Sequence, residues 1–153
     1  MKILVPTDGS LAALAAEEYA IQLAKKFNAS IVALYVAEVA ETPAQRLWAK
    51  LGKEILKRGE SNEMEVLHRI KEQGEKSGIT VETVIKHGRP SEEIIKYAGE
   101  EETIKMIVMA PRGKGFLHKL FLGNTTLEVI REVGKLVKIP VIITPYTKAP
   151  LDK

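Results

Sequence analysis

The residues best suited to chemistry lie between Ala110 and Thr126. Gly113 and Gly115 permit positive φ angles and close backbone approach to a ligand. Lys114, His118 and Lys119 add positive or protonatable groups beside them. Gly123-Asn124-Thr125-Thr126 then opens a helical stretch, in which Thr125 and Glu128 have the spacing of a capping box. The free N–H groups and positive dipole end of such a helix attract phosphate. A tight turn followed by an ordinary cap fits the same residues. The loop is neither a Walker A motif nor the dinucleotide Gly-x-Gly-x-x-Gly fingerprint. Asp8, one of two aspartates with Asp152, follows a short apolar run and precedes Gly9. At that place an aspartate either accepts hydrogen bonds from a ligand base or holds the turn, and before a glycine turn-making is the commoner role.

The remaining candidates are weaker. His68, His87 and His118 are scattered without metal-ligand spacing to one another. No serine sits in a Gly-x-Ser-x-Gly elbow. Glu100-Glu101-Glu102 reads as a solvated loop, and Lys50, Lys53, Lys57 and Arg58 as the wet face of a helical stretch. Strand three ends in Lys86-His87-Gly88, which lacks the aspartate of a phosphoacceptor domain. Pro6-Thr7-Asp8-Gly9-Ser10 does not supply the Ser-Gly-Gly-x-Asp-Ser loop of an ATP pyrophosphatase.

The elements that must position these loops alternate along the chain. Ile3-Leu4-Val5 reads as a buried strand ended by Pro6-Thr7-Asp8-Gly9-Ser10, and Ser10 can cap a helix from Leu11 to about Phe27 closed by Asn28. Ile31–Val36 is a second strand. A helical stretch from about Pro43 to Lys76 is broken at Gly59-Glu60-Ser61-Asn62, all modest or poor helix formers. Thr80–Ile85 is a third strand. A helix from Glu92 to about Ala98 follows, with Ser91 its cap or Pro90 in its first turn. Met106–Met109 is the fourth strand, a helix runs from near Thr125 to about Val137, and Ile139–Ile143 is the last strand. Such β-α alternation predicts a mainly parallel α/β sheet covered on both faces, with right-handed crossovers. A ligand then sits beyond the carboxyl ends of the strands, where the winding reverses. The loops after strands one and four face each other only if those strands are neighbours, which periodicity leaves open.

Composition bounds the function classes. The chain has 153 residues, 45% hydrophobic and 28% charged, which suits one globular domain. The net charge of +3 is a small difference between 23 basic and 20 acidic residues, too weak to indicate nucleic acid. One Trp, four Tyr and three Phe are too few to indicate a base-stacking platform. The absence of cysteine removes thiolate nucleophiles, disulfides and cysteine metal sites together. No apolar run approaches the ~18–20 residues of a membrane span, and the N-terminus reads as a strand with no room for a signal peptide. A cytoplasmic protein that binds neither membrane nor nucleic acid is expected.

Several ordered segments together resemble the universal stress protein family over Ile3–Thr144: Ile3–Ser10, Leu34-Tyr35-Val36, Gly88-Arg89-Pro90 before a helix, Met106–Met109, the glycine loop, and Pro140–Ile143. The resemblance implies a Rossmann-like open parallel five-stranded sheet in the order 3-2-1-4-5, with helices on both faces. The domain would occupy residues 1–147 and a C-terminal tail 148–153. ATP-binding members carry Gly-x-x-Gly, nine residues, then Gly-Ser or Gly-Thr. Here those places hold Ala110, Gly113, Gly123 and Asn124, with the nine-residue spacing from Lys114 to Leu122 kept. The resemblance implies ATP, with or without Mg2+, as ligand. Base-side contacts would fall on Pro6, Thr7, Asp8, Val36 and Met109, and phosphate contacts on Gly113, Gly123, Asn124, Thr125 and Thr126, with the Ala110 methyl against the ribose or the neighbouring strand. The expected role is nucleotide binding in stress response or signalling, with hydrolysis slow at most and no catalytic residue assigned. The alternative is an interaction module of the same fold that has lost nucleotide, motivated by Ala110 and Asn124. A homodimer through the last strand is also expected, because Val141–Thr144 would form an exposed apolar edge.

Overall fold

The computed structural model describes residues 1–38, 42–44, 46, 47, 50, 51, 63–112 and 122–145. The predicted helix break at Gly59–Asn62, the tail and Gly113–Phe121 lie outside the described residues. The elements are β1 (Lys2–Pro6), α1 (Leu11–Phe27), β2 (Ser30–Ala37), α2 (Glu63–Lys76), β3 (Val81–His87), α3 (Pro90–Glu100), β4 (Ile104–Met109), α4 (Asn124–Leu136) and β5 (Val141–Ile143). The sheet runs β3-β2-β1-β4-β5 with every pairing parallel, as the resemblance implied.

Strand alternation sorts the core into two layers. Ile3 and Val5 of β1, Ile31 and Ala33 of β2 and Val108 of β4 face α1 and α2. Leu4, Val32, Leu34, Ile107 and Met109 point the other way, toward α3 and α4. Each fully buried aliphatic side chain contributes about 1.5–3 kcal/mol. In α1 the stripe Ala12, Ala16, Ala20, Ala24 is buried, and its small side chains let the helix lie close on the sheet. That helix starts where the Ser10 side chain accepts the Ala13 N–H and ends where Asn28 turns left-handed at φ 51°.

Of the two alternatives for the start of α3 the second holds, and two local expectations are corrected. The α3 N-cap is Arg89, with Pro90 in the first turn; Ser91 does not cap. The α4 N-cap is Gly123, not Thr125, and no capping box forms. Glu128 reaches instead to α3, accepting from Arg89 Nη2 and from Ser91 Oγ, each at 2.6 Å. A charged and a hydroxyl donor on the neighbouring helix outcompete the single exposed N–H that a capping box would offer. The last strand is also shorter than predicted, beginning after Pro140.

Candidate functional site

The strand order makes β1 and β4 neighbours, while the chain leaves them toward opposite faces of the sheet. Their carboxyl ends therefore diverge into a crevice. A cleft of about 410 Å3 opens there. Pro6, Thr7, Asp8, Val36, Met109, Ala110, Gly123, Asn124, Thr125 and Thr126 all line it. Ten of the residues named as candidates from sequence are thus brought together, from three strand ends and one helix start. Gly113, the eleventh, lies outside the described residues.

One wall is the β1–α1 loop. The Thr7 N–H bonds to the Leu34 carbonyl at 2.9 Å, which ties the loop to β2. Asp8 Oδ1 accepts the Ser10 N–H at 2.9 Å, so the aspartate holds the turn while lining the cleft. Gly9 takes φ +78°, and a Cβ there would stand 2.7 Å from a Val66 methyl of α2. Both the left-handed conformation and the close approach require glycine.

The other wall is the start of α4. Thr126 Oγ1 donates to the Ala110 carbonyl at 3.0 Å, and the Gly123 N–H to the Pro111 carbonyl at 2.8 Å. A Cβ on Gly123 would lie 3.3 Å from the Arg112 Cα, tighter than ordinary contact. Ala110, Pro111 and Arg112 are thereby held against the helix start. The first-turn N–H groups of Asn124, Thr125 and Thr126 have no partner within the helix, and Gly123 offers no capping side chain. Such a helix start carries about half a positive charge. Asn124 is exposed at the first helical position, and the Thr126 hydroxyl is engaged with the loop.

Sequence reasoning missed several participants. Arg112, 3% exposed, is the one cation among the described residues lining the cleft. Nothing in Pro111-Arg112-Gly113 signals burial; Arg112 is buried where Gly123 comes against its backbone. Tyr35, Glu38, Pro90 and Ile94 also line the cleft. Glu17, wholly buried behind Thr7, had a readable signal: an acid at helical spacing from the buried Ala13 and Ile21. Burial pushes its carboxyl above the usual glutamate range, against the pull of its bonds from Thr7 and Arg69. Among the described residues no group of three or more His, Cys, Asp or Glu could hold a metal ion. No described helix is long and apolar enough to cross a membrane.

Comparison with known proteins agrees with this architecture. Residues 1–145 match the Universal stress protein family. The chain belongs to that family. Universal stress protein MJ0531 of Methanocaldococcus jannaschii is 34% identical over 85% of this chain and 75% of its own length. Universal stress protein YxiE of Bacillus subtilis is 29% identical over 93% and 97%. Among solved structures, the universal stress protein UspA of Lactobacillus plantarum superposes with a TM-score of 0.74 at 28% identity, covering 94% of this chain and 96% of that one. A universal stress protein in complex with cAMP shares the fold, with a TM-score of 0.64 at 20% identity over 96% and 98% of the two chains.

Proposed function

We propose that this universal stress protein binds an adenine nucleotide, ATP, in the cleft between β1 and β4, and holds it in a cytoplasmic stress-response or signalling role. One observation carries the reading: the cleft joins an aspartate-bearing, half-apolar end to an uncapped helix start. Pro6, Val36 and Met109 supply apolar surface for a flat base, and Asp8 supplies acceptor oxygens for ligand N–H or hydroxyl groups. The α4 N–H groups and Arg112 supply the opposite end with donors and positive charge for phosphate. Gly113 is assigned to the same phosphate path by its place in the family motif. A universal stress protein of this fold has been seen with cAMP and another, from Archaeoglobus fulgidus, with dAMP. At about 20% identity that likeness is one of fold, so the residues of this cleft carry the proposal.

The departures in the glycine motif fit the reading. Ala110 is nine-tenths buried, and it belongs to the core cluster with Val5 and Val108. Its side chain therefore has core neighbours to pack against. Asn124, exposed at the first helical position, has an amide that can donate to phosphate. Among the described residues the acids lining the cleft are Asp8 and Glu38. A magnesium ion would therefore arrive on the phosphates and be held by them and by water rather than by a protein cage.

Denaturing freshly purified protein and recording the mass and ultraviolet spectrum of what is released tests the reading. An adenine nucleotide is the expected product. Repeated release of nothing, together with no binding of added ATP, would leave the family fold serving as an interaction module instead.

A further inference from the structure

Behind the β1–α1 loop lies an ion pair that nucleotide binding as described does not use. Glu17 sits in the middle of α1, wholly buried among alanines. A buried charge is costly unless paired, and an apolar residue of similar volume would pack at such a place without that cost. Glu17 is fully engaged: Oε1 accepts from Thr7 Oγ1 at 2.5 Å and from Arg69 Nη2 at 2.9 Å, and Oε2 accepts from the same Nη2 at 2.8 Å. Thr7 Oγ1 in turn accepts the Gly9 N–H at 3.2 Å. The chain of bonds runs from α2 through α1 into the loop, and Asp8 lies between the two loop residues it holds. The helix α2 meets the same loop a second time, where Val66 packs against Gly9.

We propose that Glu17 is a positioning residue for the cleft: its carboxylate, clamped by Arg69 of α2, fixes Thr7 and so sets the backbone that presents Asp8 to the ligand. The ligand half of this statement rests on the nucleotide reading above; the loop half does not. Coupling between α2 and the cleft follows, because any shift of Arg69 reaches the loop through two side chains.

The proton on Glu17 decides the geometry. An ionised carboxylate only accepts, so Thr7 must give it the hydroxyl hydrogen and keep its lone pairs for Gly9. A protonated Glu17 becomes a donor, the Thr7 hydroxyl is released to turn, and the Arg69 clamp weakens. Among the described residues the charged groups acting on Glu17 are Arg69 from α2 and Asp8 from the loop.

Two measurements on the 153-residue chain test the proposal. In ligand-free protein, the amide resonances of Asp8 and Gly9 are followed by NMR through an acid titration. A component titrating above the ordinary glutamate range is expected, and it disappears in Glu17→Gln. ATP affinity is then measured in Glu17→Gln, Thr7→Val and the double variant. Glu17→Gln is expected to weaken binding about fivefold, the size of one lost hydrogen bond. In the Thr7→Val background it should add less than about twofold, since it acts through that hydroxyl. Unchanged loop amides and unchanged affinity in a Glu17→Gln protein that merely melts lower would overturn the proposal and leave a purely structural ion pair. If Glu17→Gln does not fold, Arg69→Met, which removes the guanidinium and leaves Glu17 titratable, carries both measurements: the loop component moves to higher pH and ATP affinity falls. If the wild-type chain binds no ATP, the nucleotide reading fails and the loop titration still decides the role of Glu17.

Discussion

Gly9 shows how closely the cleft wall is built. Its left-handed backbone and the adjacent Val66 methyl both exclude a side chain. Val66 is buried and stiff at χ1, so it cannot turn away at little cost. Gly9→Ala is therefore expected to lower stability by about 2 kcal/mol, from the left-handed penalty plus the displaced contact. Urea unfolding checks this; a loss under half of it would mean that the loop relaxes freely. Asn124 is the opposite case. It is exposed and does not cap α4. Asn124→Ala should leave stability within about 0.5 kcal/mol and weaken ATP binding by about 1 kcal/mol, the value of one hydrogen bond to phosphate. Calorimetry and thermal melting on the same preparation separate the two. A lower melting temperature with unchanged affinity would make Asn124 a helix residue only.

Among the elements, α3 and α4 are fastened beside the cleft by Glu128. Its bond from Ser91, then the charge and bond of Arg89, hold its carboxyl below the usual glutamate range. A lowered pKa means that the folded state prefers the ionised form. The stabilisation is present above the ordinary glutamate range and is lost as pH falls through the lowered value. The gap in unfolding free energy between wild type and Glu128→Gln should thus be full at neutral pH and close in acid; a gap constant with pH would contradict it. The same fastening shows where sequence reading stops. The Thr125–Glu128 spacing fits a capping box, but partner choice depends on what α3 brings alongside, and no local pattern encodes that. Elements with a strong local signal were legible to the residue: α1 begins at Leu11 after its serine cap and ends at Phe27 before Asn28. The loops at the ends of β1 and β4 were legible as unusual from their glycines and Asp8. Their adjacency came only with the family resemblance, because pairing between strands a hundred residues apart leaves no periodic trace. Arg112 stayed hidden because its burial is tertiary: Gly123 comes against its backbone, and no local pattern encodes that.

For the molecule as a whole, the parallel sheet ends in a strand of three residues. Val141, Ile142 and Ile143 are only half-buried, and an apolar edge of this kind is a template for pairing. We therefore expect a homodimer through β5, each copy covering the other's edge about a two-fold axis. Ile142 packs toward the core, so a charge there would test stability more than association. The Thr144 N–H bonds to Met109 of β4, so by strand alternation the Ile143 N–H points away from the sheet. Ile143→Pro removes that outward donor and is expected to convert a dimer to monomer in sedimentation. A wild-type protein that stays monomeric at high micromolar concentration would contradict the pairing. The nucleotide cleft is the central claim, and titration calorimetry of ATP into ligand-stripped wild type and Gly123→Val tests it most directly. A valine there would press on the Arg112 backbone, where even one added carbon comes within 3.3 Å, and would push the loop from the helix start. Saturable binding of one ATP per chain is expected, lost in a folded Gly123→Val protein. Wild-type protein that is folded and takes up no ATP at millimolar concentration, or a folded Gly123→Val that binds it as well as wild type, would contradict the account.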